Sequence, residues 1–182
     1  MGFITADMNI NSCLEKHNVV PDILDAPISP STLLKIDYGT NDVALGNILN
    51  PQQTSEQPNI FFVAPEEDAY YTLIMTDPDA PSSQDKKFGP WRHWIVVNIL
   101  GSDLDTSKKP ENQHTPYIGP GPGQDTGTHR YVFLLYKQGN GKQEFKPMEH
   151  EQKEQRRLFK LREFEAENQL ELVTANFFCC PT

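Results

Sequence analysis

Cysteine is scarce in this 182-residue chain, which has only Cys13, Cys179 and Cys180. An odd count with no spaced framework excludes a disulfide scaffold and suits a reducing compartment. Adjacent cysteines form strained disulfides, so a frayed C-terminus with ordinary thiols is expected at Cys179 and Cys180. Basic residues are also in deficit, 16 Lys and Arg against 25 Asp and Glu, for a formal charge of −9. That balance repels phosphate backbones and excludes non-specific nucleic-acid binding and strong adhesion to an anionic bilayer. The one basic cluster, 153–162, is interleaved with glutamates and reads as a solvated helix face. No apolar run approaches the length that spans a bilayer, so no integral membrane association is expected. Residues 1–7 lack the basic start and apolar stretch of a secretory signal. Gly2 is followed by Ala6 where a myristoylation signal wants Ser or Thr, and Asn-x-Ser/Thr sites are absent. A cytoplasmic monomer is expected.

The length suits one domain, 1–182, with 1–8 as a flexible arm. Ile10, Cys13, Leu14 and His17 recur at helical spacing, which predicts a short amphipathic helix ending before Pro21. Strands are predicted over 33–38, 60–64, 70–76, 93–100, 130–137 and 170–178, the most apolar being 93–100 and 130–137. Residues 47–57 and 101–113 read as loops, and 150–168 as a helix with Leu158, Leu161 and Phe164 facing the core. The segment 119–127 holds four glycines and two prolines and cannot be a regular strand. This order of elements predicts a mostly β sandwich with peripheral helices.

Chemistry concentrates at the ends of three strand-like runs. Asp77 and Asp79 lie in Asp77-Pro78-Asp79-Ala80-Pro81-Ser82, Trp91 and His93 open the next run, and His129 and Tyr131 open a third. Side chains at i and i+2 of a strand share a face, so the three polar pairs are expected to line one pocket. A carboxylate beside an imidazole favours the imidazolium, so His93 or His129 would offer a donor to an anion near neutral pH. Tyr131 and backbone N–H groups of the glycine segment would add donors. Blander roles are weighed beside these. One aspartate is expected to brace its turn, Ser82 and Ser83 to satisfy turn backbone, and Arg130 to face away and pair with an acid. Trp94, Phe133 and Leu135 read as core. Asp77, Asp79, His93 and His129 could instead ligate a divalent metal, although their spacing matches no zinc signature.

The two blocks formed by 77–82 with Trp91 to His93, and by Gly119-Pro120-Gly121-Pro122 with His129-Arg130-Tyr131, resemble the phosphatidylethanolamine-binding protein family. This is also the Raf kinase inhibitor family, and the resemblance runs over 9–178. It implies a large antiparallel sheet packed on a smaller one, with a pocket at one end. The family's anion pocket maps to Asp77, Pro81, Trp91, His93, Gly119, Gly121, His129 and Tyr131. It implies a non-enzymatic regulator without cofactor or metal. Its partners would be phosphatidylethanolamine or another phosphorylated small ligand, and an enzyme that it inhibits. Trp91 and the intact glycine–proline loop match animal and fungal members better than plant flowering regulators. Animal members continue past the last strand with a helix, whereas four residues follow Phe178 here. The fungal carboxypeptidase inhibitors are the nearest branch, so a serine carboxypeptidase is the expected target. A kinase-cascade inhibitor is the alternative, and a metal-dependent hydrolase using the Asp/His cluster a more distant one. Phe88 replaces a pocket tyrosine of animal members.

Overall fold

The computed structural model describes residues 6–182, and side chains from Asn9 onward. Of the expected arm, 1–5 therefore lie outside the described residues, and 6–8 already belong to helix α1 (Ala6–Lys16). The helix seats Ile10 and Leu14 in the core, as their spacing predicts. It gives way at Asn18, whose φ of 55° is the left-handed conformation asparagine tolerates, to a short helical turn α2 (Val19–Asp22).

Strands β1 (Lys35–Tyr38), β2 (Asn41–Asp42), β3 (Asn47–Ile48), β4 (Asn59–Phe61), β5 (Tyr70–Asp77), β6 (Trp91–Leu100), β7 (Gln113–Thr115) and β8 (His129–Gln138) follow. Helix α3 (Leu161–Glu167) and strand β9 (Leu170–Cys180) complete the chain. A three-stranded sheet has the order β2-β1-β4, and a six-stranded sheet the order β3-β9-β8-β5-β6-β7. The expected pairing of a large with a small antiparallel sheet holds, except that β3 joins β9 in parallel within the segment expected to be a loop.

The large sheet is covered on both faces. Leu73, Met75, Trp94, Val96 and Phe133 pack with Ile36 and Phe62 toward the small sheet. Ile74, Ile95, Val97, Val132 and Leu134 pack with Leu14, Val19 and Phe164 toward the helices. Two-sided burial is why β5, β6 and β8 read as continuous apolar runs instead of alternating ones.

Two predicted elements differ. Within 150–168 the α-helix covers only Leu161–Glu167, preceded by a single tight turn, Lys153–Arg156. Between them the backbone is drawn against the chain before β6: Leu158 N–H donates to Phe88 O and Phe159 N–H to Pro90 O. These tertiary bonds replace helical ones, and Leu158, expected in the core, is 59% exposed at a φ of 54°. At the C-terminus, the expected frayed cysteines are instead the last residues of β9. Pairing of β9 along the whole of β8 buries Cys179 and Cys180 on opposite faces of the sheet.

Candidate functional site

Antiparallel pairing brings the end of β5 to the beginnings of β6 and β8. Asp77 stands opposite Trp91, and Thr76 opposite both Arg92 and Val132. One residue is extra on β6 here: Met75 pairs with Trp94 and Thr76 with Arg92, so His93 forms a bulge. Bulges re-aim side chains. Consecutive His93 and Trp94 accordingly reach the same side, His93 stacking edge-on against Tyr131 at 5.1 Å and Trp94 joining Tyr131 in the inter-sheet core.

The result is a cavity of about 410 Å³ at one end of the large sheet. All eight residues that the resemblance singled out line it: Asp77, Pro81, Trp91, His93, Gly119, Gly121, His129 and Tyr131. The 119–123 wall is held from outside. Tyr117 donates its hydroxyl proton to Thr54 O and accepts from Tyr38, each at 2.7 Å. Gly119 backs onto the same loop, where a Cβ would come within 2.6 Å of Thr54 O. Gly127 is required by its φ of +80° and by Ser83, whose Oγ would lie 2.0 Å from a Cβ.

His129 is gripped at both nitrogens. Nδ1 lies 2.8 Å from Asp77 Oδ2, and Nε2 lies 2.9 Å from Thr126 Oγ1. The carboxylate accepts only, so Nδ1 carries a proton. Thr126 also donates to Gly123 O at 2.7 Å, and its hydroxyl can accept from an Nε2–H.

His93 departs from expectation. Its Nδ1 donates to Ile118 O at 2.7 Å, and burial, outweighing the field of Asp77, pushes its pKa down to about 4. Near neutral pH it is therefore an uncharged ring with an acceptor at Nε2, not a cationic donor to the pocket. Burial, reinforced by Asp77, raises the Tyr131 hydroxyl pKa, so it remains a protonated donor. Trp91 completes the aromatic wall with its ring 4.4 Å from that of His93.

Asp79 does not share the face of Asp77. Its carboxylate accepts from Arg130 Nε and Nη2, both at 2.9 Å, and from Arg130 N–H at 2.9 Å. Burial alone would raise its pKa, but Arg130 and Lys86 hold it below the usual carboxylate range. Arg130 also reaches the carbonyls of His17 and Asn18, tying the turn to α1. The expected acid partner for Arg130 is thus found. Asp77 does the bracing, its Oδ1 accepting from Asp79 N–H at 2.7 Å. The four-residue metal set is overturned by this arrangement, because Asp79 is committed to arginine. Among the described residues, no three His, Cys, Asp or Glu side chains are grouped to hold a metal. Ser82 and Ser83 both donate to Thr126 O at 3.1 Å, the turn-satisfying role expected of them.

The basic cluster read as a solvated helix face contributes most that sequence reasoning missed. Lys153 and Arg157 line the cavity. The Arg157 guanidinium lies 3.9 Å from the centroid of Phe88, another lining residue. Arg156 is buried beneath the wall, donating to the carbonyls of Arg92, His93 and Pro116 and lying 5.6 Å from the Trp91 ring. A run of alternating charge conceals these roles, because three of the carbonyls that hold Arg156 and the ring beneath Arg157 are distant in sequence.

Comparison with known proteins agrees with this geometry. The chain is 36% identical to the “Putative odorant-binding protein A5” of Drosophila melanogaster over 74% of its own length, and spans 61% of that protein. It is 29% identical to the carboxypeptidase Y inhibitor of Saccharomyces cerevisiae over 92% of this chain and 93% of that one. The crystal structure of carboxypeptidase Y inhibitor complexed with the cognate proteinase superimposes with a TM-score of 0.84. It has 28% identity and covers 99% of this chain and 98% of its own. Residues 37–178 match the phosphatidylethanolamine-binding protein profile, and the chain belongs to that family.

Proposed function

We propose that this protein is a regulatory inhibitor of a serine carboxypeptidase that also holds a phosphorylated head group in the cavity at the end of its large sheet. The observation that carries the inhibitory half is likeness over nearly the whole chain to carboxypeptidase Y inhibitor, in sequence and in the fold of its complex with the proteinase. The binding half is supported by the cavity's lining, in which His129, Tyr131 and the 119–123 backbone offer donors and Trp91 an apolar rim. A bare carboxylate would repel phosphate, and here the Asp77 carboxylate is occupied by His129 and Asp79 N–H.

Two assays test the halves separately. The intact chain, titrated into yeast carboxypeptidase Y, is expected to inhibit peptide hydrolysis saturably; full activity at excess protein would remove the inhibitory assignment. Inorganic phosphate, titrated while the imidazole NMR signals of His93 and His129 are followed, is expected to shift both. Unmoved signals in the folded protein would leave the cavity without an anion.

A further inference from the structure

The charge in this cavity is distributed unevenly. Among its lining residues Asp77 is the one acid, and both its oxygens are taken, by Asp79 N–H at 2.7 Å and His129 Nδ1 at 2.8 Å. Asp79, close in sequence, faces Arg130. Lys153 and Arg157 also line the cavity. Arg157 is held over Phe88, and its acidic neighbour Glu154, 3.6 Å away, stands in solvent where the pairing is screened. The Nε2 acceptor of His93 can take a hydrogen bond but offers no countercharge.

Among the described lining residues, the substituent of a phosphate seated by His129, Tyr131 and the 119–123 backbone would meet two cations and no free carboxylate. We infer that Lys153 and Arg157 make the cavity selective for a phosphate monoester with an uncharged substituent over the same phosphate bearing an ammonium group. The inference rests on the phosphate-binding reading proposed above. The recognised chemistry is a terminal phosphomonoester dianion, which a phosphatidate head group and a soluble phosphate ester both present. An ammonium two carbons beyond the ester oxygen makes the ligand less negative and sets a cation against two others.

Propyl phosphate and phosphorylethanolamine have the same shape and differ by a methyl in place of the ammonium, so they isolate this effect. Calorimetric titration of the full chain at about pH 7.5, where the monoester is mostly dianionic, is expected to show propyl phosphate binding roughly tenfold more tightly at low ionic strength. The gap is expected to narrow with added salt and to close in Lys153→Met/Arg157→Met. Lys153→Met alone, at an exposed position, is expected to narrow it even if the double variant does not fold. Equal affinities in the unaltered protein, or a gap that survives these substitutions, would overturn the inference while leaving phosphate binding intact. Failure of both compounds to bind would remove the phosphate reading and the inference with it. Flotation with phosphatidylcholine vesicles containing phosphatidate or phosphatidylethanolamine then separates the sources. Capture by phosphatidate vesicles that is weakened by the Lys153 and Arg157 substitutions supports the inference with a lipid ligand. Propyl phosphate binding without such capture supports it with a soluble ester.

Discussion

Asp77 Oδ2 lies 2.8 Å from His129 Nδ1 while its Oδ1 accepts from Asp79 N–H at 2.7 Å, so one buried carboxylate both closes a turn and orients an imidazole. The two roles explain why strand β5 ends in aspartate. They also set what loss of either partner does.

Asp77→Ala leaves a buried N–H of His129 and the N–H of Asp79 without acceptors. Destabilisation of roughly 1–3 kcal/mol is expected, the range for unsatisfied buried donors. His129→Ala leaves Asp77 Oδ2 without its donor, so it is expected to weaken both phosphate binding and the fold. Denaturant unfolding of the two single variants and the double variant forms a cycle. Strictly additive effects would show that the contact is energetically idle.

Arg130 carries the structural half of the 77–82 turn. Its fork holds Asp79 at two points, Nη2 meets Asp22 at 2.8 Å, and Nη1 donates to two carbonyls after α1. Arg130→Met leaves the buried Asp79 carboxylate with only Lys86 and a backbone N–H, and is expected to destabilise by up to roughly 3–5 kcal/mol. Arg130→Lys should recover little, since one ammonium cannot reproduce a bidentate fork with two further donors. Near-native melting of the lysine variant would contradict this account.

The division between Asp77 and Asp79 shows what was legible in the sequence. Strand periodicity placed Asp77, Trp91, His93, His129 and Tyr131 together because strand ends of an antiparallel sheet converge. It assigned Asp79 to the same face because it extrapolated the strand two residues past its end. Charge state was less legible: the low pKa of His93 comes from burial at a bulge that no local pattern announces. Arg156 and Arg157 were hidden by composition. A buried arginine among glutamates has the same local sequence as a solvated one, and of the carbonyls that hold Arg156 only that of His150 is local, the other three lying at least 40 residues away.

The thiols offer a test of the corrected C-terminus. Cys180 is buried, and burial with the nearby Asp77 charge pushes its pKa up to about 11. Burial likewise raises the Cys179 thiol pKa, whereas Cys13 is half-buried on α1. In native protein at neutral pH a thiolate-seeking reagent is expected to modify Cys13 first, with Cys179 and Cys180 protected until unfolding. Fast stoichiometric labelling of all three without denaturant would mean that the end of β9 is open.

The acid limb of stability should carry the signature of His93. Its folded pKa of about 4 lies below the unfolded value of 6.5, so the folded state resists a proton that the unfolded chain accepts. Its linkage contribution is therefore fully present above pH 6.5, falls as pH drops toward 4, and changes little further below that. The shift corresponds to roughly 3 kcal/mol as an upper figure. His93→Gln is expected to be less stable near neutral pH, having lost a fitted ring against Tyr131. It should also lose less stability between pH 6.5 and 4, because the unfolded chain has one fewer imidazole to protonate. Denaturant unfolding of both proteins across that interval makes the comparison. Parallel pH profiles would mean that His93 takes up its proton in the folded protein as readily as in the unfolded chain, and that the bulge does not keep the ring neutral.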